Sequence, residues 1–505
     1  MMEGKKVKVL AELRPALEGF AGIPQETRLI FSILNELPEV EAHGLINHYY
    51  IKFYPGLKTE RQWSSKRVVS KRINQLSRHI VSHIQQPHMS FFEKIVSRIE
   101  RYFYKTEVSA KAKFGIKERI YSFDSKGFED FIWSTLFSKT LPASEFKDIT
   151  AAKYAILRAP WGVMHEVGLG GGFFRKYLRI NTKGYDFFLA QTPYPARMSH
   201  GTRLLVRYHD AIPIFFPHTI PDTSLHQATH YWTLKENIKR GAYFVCTSEA
   251  TRKDLLEIFP QAEKNSCVIH DVVSHNYFPE AVTREHLSTI IKARIDDGTE
   301  PKFLTSRERL NFYKRSVDPK TLRYIMMVST IEPRKNHMKL IGAWEKIRLN
   351  KEFEDIKLVL VGGLGWSYDK ITMAMKPWQE QGLLFHLARV PSGDLRALYS
   401  GAEAVICPSL AEGFDLSGIE AMLCGAPVVA SDIPVHREVY GEHASYFDPY
   451  STMNLAEQLE QVLIMEEKKR EMLTEKAMLY AERYKKDTIS HKWAELFECL
   501  TDNRF

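Results

Sequence analysis

Six short apolar runs punctuate the second half of this sequence, beginning at Leu322, Lys357, Leu383, Glu403, Pro427 and Ala444, and each is trailed by a helical pattern or a loop. Such alternation constrains a fold tightly, because parallel strands need crossover connections and crossover helices cover the faces of one sheet. The first half repeats the theme. Lys6 to Leu13 reads as a strand, Gly19 to Pro24 leads into a helix-periodic stretch from Gln25 to Leu37, and strands are expected at Tyr185 to Ala190, Arg203 to Tyr208, Ala242 to Thr247 and Ser266 to His270. Helical patterns at Ser224 to Lys239 and Ser248 to Phe259 alternate with them. A chain of 505 residues is too long for one ordinary core, so two parallel-sheet halves facing each other are expected.

The 44% hydrophobic and 26% charged content is that of a globular enzyme. The sequence holds no run of about 18 apolar residues, and its opening residues do not read as a secretory signal, so a cytoplasmic location is expected. Cys246, Cys267, Cys407, Cys424 and Cys499 are scattered without zinc spacing and read as reduced core residues.

Two glutamates separated by seven residues, Glu412 and Glu420, follow the apolar run Ala404-Val-Ile-Cys407 and enter a helical pattern. That places both carboxylates at the carboxyl end of a strand, the edge where open α/β sheets bind ligands. The backbone from Phe414 to Gly418 enters the helix, whose free N–H groups suit a phosphate. Ser417 and Glu420 also stand in capping-box spacing, a purely structural alternative that leaves Glu412 unexplained. Upstream, Arg334 and Lys335 follow the strand-like run from Tyr324, a place where two cations can neutralise a diphosphate without a metal. His209 and Asp210 end the run from Leu204.

Other readings fail on spacing. The first loop offers only Gly19 and Gly22 before Pro24, which is not the three-glycine dinucleotide fingerprint. His165-Glu166 lacks the second histidine of a zinc helix, and no D-x-D element ends a strand. Asp296-Asp297 lies in a polar stretch and reads as solvated, and the cluster from Gly168 to Gly172 reads as a flexible loop at an acceptor mouth.

The runs around Glu412 and Arg334 resemble the donor-site signature of retaining, nucleotide-sugar-dependent glycosyltransferases of family four. The resemblance covers about Leu322 to Met465, with isolated matches at Gly22, His209 and Ser248. It implies an α/β GT-B fold: an N-terminal acceptor-side Rossmann-like domain over 1–275, a charged linker or insertion over 276–320, a nucleotide-sugar-binding domain over 321–485, and a last helix over 486–505 crossing back. It also implies roles. Arg334, Lys335 and the amides of Gly413, Phe414, Asp415 and Leu416 would hold the diphosphate, Glu420 the ribose and Glu412 the donor sugar. His209 would approach the sugar being transferred, Gly22 would let backbone near the diphosphate or acceptor, and the loop at Val390 would rest against the base. No metal and no cofactor are implied. Asp415 and Ser417 depart from the glycine and proline usual there, so Asp415 is a candidate reader of a sugar hydroxyl. The phrasing looks most like bacterial mannosyltransferases of O-antigen or capsular chains, which favours GDP-mannose over a UDP-sugar and a glycan or lipid-linked glycan as acceptor. A nucleotide-sugar epimerase and a non-catalytic scaffold of a polysaccharide assembly complex are the alternatives.

The stretch from Ile51 to Ile120 has no counterpart in that resemblance. It carries 16 Lys and Arg against 5 Glu, within a basic, largely helical insertion over 51–150. Val69, Ile73, Leu76, Ile80 and Ile84 form an apolar stripe flanked by Lys66, Arg67, Lys71, Arg72 and Arg78. Such a helix either lies on an anionic membrane, which would put the protein at the inner face of the cytoplasmic membrane, or packs on the protein by the same stripe. No recognised nucleic-acid-binding module accompanies the charge.

Overall fold

The computed structural model describes residues 6–19, 22–54, 65–84, 91–170, 175–220 and 222–502. Gly171, Gly172 and the side chains of Lys66 and Arg67, singled out above, lie outside the described residues.

The C-terminal sheet has six strands: β11 (Tyr324–Val328), β12 (Lys357–Val361), β13 (Leu384–Leu387), β14 (Ala404–Cys407), β15 (Val428–Ser431) and β16 (Ser445–Phe447), one for each apolar run. All pair in parallel, in the order β13-β12-β11-β14-β15-β16. Both faces are buried, which is why these strands read as continuous apolar runs. Along β11, Tyr324 and Met326 join one core while Ile325 and Met327 join the other. The chain steps from β11 outward to β13 and then returns to place β14 on the other side of β11. The crevice between β11 and β14 is therefore the topological switch point, where loops diverge and leave room for a ligand.

The N-terminal sheet has ten strands. They are β1 (Val7–Glu12), β2 (Val40–Ile46), β3 (Lys117–Phe123), β4 (Lys153–Leu157), β5 (Leu178–Asn181), β6 (Phe187–Ala190), β7 (Ala196–Arg197), β8 (Arg203–Tyr208), β9 (Tyr243–Cys246) and β10 (Ser266–Val268). Their order is β10-β9-β8-β6-β1-β2-β4-β3-β5-β7, and β3 runs antiparallel to β4. Its switch point lies between β1 and β6. Helix α1 (Ile23–Glu36) follows the first loop and packs on β2.

The described part of the stretch 51–150 is largely helical, with helices α2 (Ser65–Ile84) and α3 (Phe91–Phe114), but β3 follows α3 and is part of the main sheet. The α2 stripe decides one question left open by the sequence: Leu76 and Ile80 are buried in the core beneath α1, with Ile84 packed against it, so the stripe is consumed by the protein. Only Val69 at its end is exposed. Helix α3 belongs to the opposite face of the sheet, where Tyr104, Val108 and Ala112 pack with Val163, Met164 and Val167.

Of the two readings of 276–320, the packing favours an insertion over a linker: helices Arg284–Arg294 and Ser306–Ser316 bury Leu287, Ile290, Ile291 and Tyr313 in the C-terminal core, and Ile295 bridges Leu387 at the edge of β13. Gly168 and Gly170 close the helix Trp161–Leu169 rather than a free loop. A Cβ on Gly168 would lie 2.5 Å from the Tyr177 ring, so glycine there permits close packing. The last helix, Lys486–Thr501, buries Ile489, Trp493, Phe497 and Leu500 in the N-terminal core, and Lys486 Nζ meets Ser32 Oγ and Glu36 at 2.6 and 2.5 Å. The five cysteines are free, three of them buried. Among the described residues no helix is long and apolar enough to cross a membrane.

Candidate functional site

The loops that leave β11 and β14 meet over their switch point. After β11, Pro333–Lys335 makes one 3-10 turn, and Asn336 takes a left-handed conformation (φ 62°) that asparagine tolerates. Its side chain donates to the carbonyls of Pro408 and Pro449 at 3.0 and 2.9 Å, and Leu410 N donates to Arg334 O at 3.0 Å. The two loops are thus bonded together, and the basic pair faces Glu412. Arg334 Nη1 donates to Glu412 Oε2 and to Ala411 O, both at 2.7 Å, while Nη2 donates to Glu332 at 2.9 Å. Lys335 Nζ donates to the other Glu412 oxygen. Burial would raise the Glu412 pKa, but Arg334 and Lys335 hold it below the ordinary value. Burial likewise works against the Arg334 charge, and Glu412 with Glu332 more than restores it. Glu332 itself is raised by burial. Two cations and two acids are held in one largely enclosed cluster.

Beyond Glu412, the helix Leu416–Leu423 is capped by Asp415, whose carboxylate accepts from Ser417 N and Oγ at 3.1 and 2.6 Å. The capping box that Ser417 and Glu420 would form is absent because the helix starts two residues earlier, with Asp415 in the capping role. Asp415 is also 3.3 Å from His436 Nε2. Despite burial, that histidine holds the Asp415 pKa far below the ordinary value. The Asp415 carboxylate is thus engaged with the start of its own helix and with His436. Glu420, released from capping, is buried and accepts from Gln25 Nε2 of α1 and from the Tyr399 hydroxyl, both at 3.2 Å. Burial raises it to about 7, against hydrogen bonds that pull the other way.

Gly413 stands against the other domain. A Cβ there would lie 1.6 Å from His209 O, so no larger residue fits this approach. Its carbonyl accepts from Thr247 Oγ1, Ser248 Oγ and Thr251 Oγ1 at 3.1, 2.8 and 3.1 Å. Ser248 is also the N-cap of helix Glu249–Ile258, and Glu438 accepts from the first two amides of that helix at 2.7 and 3.0 Å. Phe414 lies against His270 and Tyr484, with ring centres 5.9 and 5.4 Å away.

His209 ends β8 as expected, and its Nδ1 is 3.2 Å from Glu26 Oε2 on α1. Glu26 also accepts from Arg207 Nε at 2.7 Å, and Arg207 Nη2 reaches Asp271 at 2.7 Å. Burial and the nearby Glu26 push the Asp271 pKa well above its ordinary value. Glu26 stays charged against its burial because Arg207 and His209 hold it low. Burial lowers His209, with Glu26 opposing. Glu26, His209 and Asp271 are close enough to ligate a metal, but the Arg207 guanidinium already bonds both carboxylates, so the group has its cation.

Gly22 is the N-cap of α1 at φ 66°, and a Cβ there would meet nothing within 4 Å. Arg28, wholly buried, fixes the preceding loop by donating to Ala16 O, Glu18 O and Gly19 O at 2.8, 2.8 and 2.9 Å. Val390 follows β13 and packs partly on the C-terminal core. Leu416 opens its helix and packs on the same core.

Sequence reasoning missed the supporting partners: Gln25, Glu26, Arg28, Asp271, Tyr399 and His436. Arg207 was the available signal, since an arginine inside the apolar run Leu204-Leu-Val-Arg-Tyr208 must find acids when the strand is buried. A polar group at the carboxyl edge near β1 and β6 was missed too. Glu12 accepts from Arg14 Nε at 2.9 Å and from Gln191 N at 3.0 Å, Arg14 lies 4.3 Å over the Trp161 ring, and Trp161 packs on His165 at 3.9 Å. Trp161 Nε1, both His165 nitrogens, Gln191 Oε1, Tyr194 OH and His209 Nε2 are buried there without a protein partner.

Residues 309–479, which contain the whole Arg334–Glu420 arrangement, match the model of glycosyl transferases group 1. By that match the C-terminal half is similar to glycosyl transferases of group 1. The chain is similar to the serotype-specific mannosyltransferase WbdA of Escherichia coli, 36% identical over 143 residues, which are 28% of this chain and 17% of that protein. It is similar to the O-antigen chain mannosyltransferase B of Escherichia coli, 29% identical over 35% of this chain and 46% of that protein. It also resembles the O-antigen chain mannosyltransferase RfbU of Salmonella typhimurium, 23% identical over 48% and 56%. The chain thus spans about half or less of the length of these relatives. Among solved structures, Anabaena Alr3699/HepE in complex with UDP and glucose superposes with a TM-score of 0.52 over 97% of this chain and 99% of that one, at 15% identity. That likeness shows the fold: the chain is GT-B, α/β throughout.

Proposed function

We propose that this group 1 protein is a retaining hexosyltransferase that uses a nucleotide-sugar donor, with mannose from GDP-mannose as the favoured donor and a glycan or lipid-linked glycan as acceptor. Bacterial surface polysaccharide synthesis is the context that the mannosyltransferase relatives suggest. The observation that carries the reading is the convergence of Arg334, Lys335 and Glu412 on the β11/β14 switch point, opposite His209.

In this reading the donor diphosphate lies along Arg334, Lys335 and the amides from Gly413 to Leu416, and takes over the bonds that Glu412 makes to the cations. Glu412, freed, accepts from donor-sugar hydroxyls. Glu420 takes the ribose, beside Tyr399 and Gln25, and the base rests toward Val390. The anomeric C–O bond to the diphosphate breaks while the acceptor oxygen bonds the same face, and the acceptor proton passes to the departing phosphate oxygen. Charge grows on the diphosphate in that step, where each well-placed donor contributes about 3 to 4 kcal/mol. No cofactor or metal is invoked, since the fixed cations already stand where that charge develops. The acceptor enters at the N-terminal edge, where Gln191, His165 and Trp161 offer buried polar atoms to a hydroxyl-rich molecule. The test is product analysis with GDP-mannose and UDP-sugars on glycan acceptors. Transfer with an α-linked product supports the reading, and free sugar release or C2 inversion of the nucleotide sugar would replace it with a hydrolase or an epimerase.

A further inference from the structure

Among the described residues of the basic stretch, most of the exposed large apolar side chains are on α3. Its residues divide into two opposite faces by helical periodicity. Tyr104, Val108 and Ala112 are packed against the helix Trp161–Leu169, and Arg101 and Lys105 on the same side hold Glu166. The other face presents Ile99, Tyr102 and Phe103, at 54, 68 and 67% exposure, and continues through Thr106, Ala110 and Lys113 to Phe114 at 74%. Ile116, just beyond the helix, is 53% exposed. The row from Ile99 to Phe114 extends about 22 Å at the rise of an α-helix. Large aromatic and branched side chains are seldom grouped on solvent without a partner surface.

Charge identifies the partner. Residues 98–119 hold seven Lys and Arg against three Glu. Two of those glutamates, Glu107 and Glu118, are already bonded by Lys111. Arg98 at the margin of the face and Lys113 on it are exposed. Aromatic rings beside cations fit the interface of an anionic bilayer, where rings sit at headgroup depth and cations meet lipid phosphates. We infer that the exposed face of α3, from Ile99 to Phe114, is a peripheral docking surface for an anionic lipid bilayer. This inference is independent of the donor chemistry.

The test is vesicle flotation of the full chain with phosphatidylcholine alone and with added phosphatidylglycerol. The wild type floats only with phosphatidylglycerol and is released by salt. Tyr102→Ser with Phe103→Ser lowers the bound fraction about tenfold or more, as does Arg98→Glu with Lys113→Glu. Lys71→Glu with Arg72→Glu, on α2 across the sheet, floats as the wild type does. Circular dichroism of each variant checks its fold. Absence of wild-type flotation, equal flotation of the Tyr102/Phe103 variant, or loss confined to the α2 variant overturns the inference. So does a concentration-dependent dimer that the Tyr102/Phe103 variant abolishes without any effect on flotation, since the face then belongs to a second copy.

Discussion

The two sheets build their cleft edges in different ways. In the C-terminal half the groups that meet, Glu332, Arg334, Lys335 and Glu412, come from two loops beside neighbouring strands, and each loop is a short continuous run. In the N-terminal half the equivalent edge is assembled from α1, β8 and the turn after β10, with Glu26, Arg207 and Asp271 separated by up to 245 residues. A site made of contiguous loops leaves a motif in the sequence. One made of distant buried ions leaves only isolated charges in apolar runs. The lesson extends to energetics: the first site can exchange its internal ion pairs for a ligand's phosphates, whereas the second is closed on itself and holds His209 in place.

The comparison breaks most visibly at Glu26. Glu26→Ala leaves Arg207 buried without its main partner and is expected to destabilise the protein by about 3 to 5 kcal/mol, read as a lower urea midpoint. An unchanged midpoint would mean that the N-terminal edge is not held by this ion group.

At the C-terminal edge, Arg334→Ala is expected to weaken nucleoside diphosphate binding by about 1.5 to 3 kcal/mol, with the smaller stability cost expected of a group only partly enclosed by protein. Calorimetry with GDP and UDP checks it. Equal affinity for mutant and wild type would remove Arg334 from the diphosphate.

Glu420 sharpens the contrast through pH. Its folded value of about 7 lies above the ordinary 4.5, so the fold favours the protonated form. Its stabilising contribution is present below about pH 4.5 and is lost as pH rises toward about 7. A ribose diol favours the carboxylate, so nucleotide affinity is expected to rise by up to about tenfold from about pH 6 to about pH 8. Glu420→Gln should flatten both profiles. A wild-type affinity independent of pH would separate Glu420 from the ribose.

The smallest expected effect is that of metal removal. Because Arg334 and Lys335 already supply positive charge, excess chelator should leave most of the transfer rate. Recovery of a lost rate only by added magnesium or manganese would contradict the metal-free reading.

The C-terminal sheet was legible strand by strand because parallel strands covered on both faces read as apolar runs, as Tyr324–Val328 and Lys357–Val361 do. Strands β2, β3 and β4 were not, since β3 alternates exposed and buried residues on a charged background and joins the sheet only through distant pairing. In the site, the strand-end places of Arg334, Lys335 and Glu412 were legible, but their bonds to one another were not. Nor was the capping role of Asp415, because Asp415 and Ser417 compete for the same helix start and the His436 contact that decides it comes from 21 residues away. The side on which the α2 stripe is buried was also hidden: amphipathicity gives a face, and only tertiary packing says what covers it.

The central claim is that the Arg334 and Lys335 cations, now neutralised by Glu412, are the diphosphate site, and that Glu412 serves the sugar. Calorimetric titration of GDP and UDP into Glu412→Gln, beside a transfer assay on the same protein, tests it most directly. The account predicts transfer reduced about a hundredfold or more, with nucleoside diphosphate bound as tightly as by the wild type or several-fold tighter, because the substitution removes the competing carboxylate. Weaker diphosphate binding with transfer retained would contradict it.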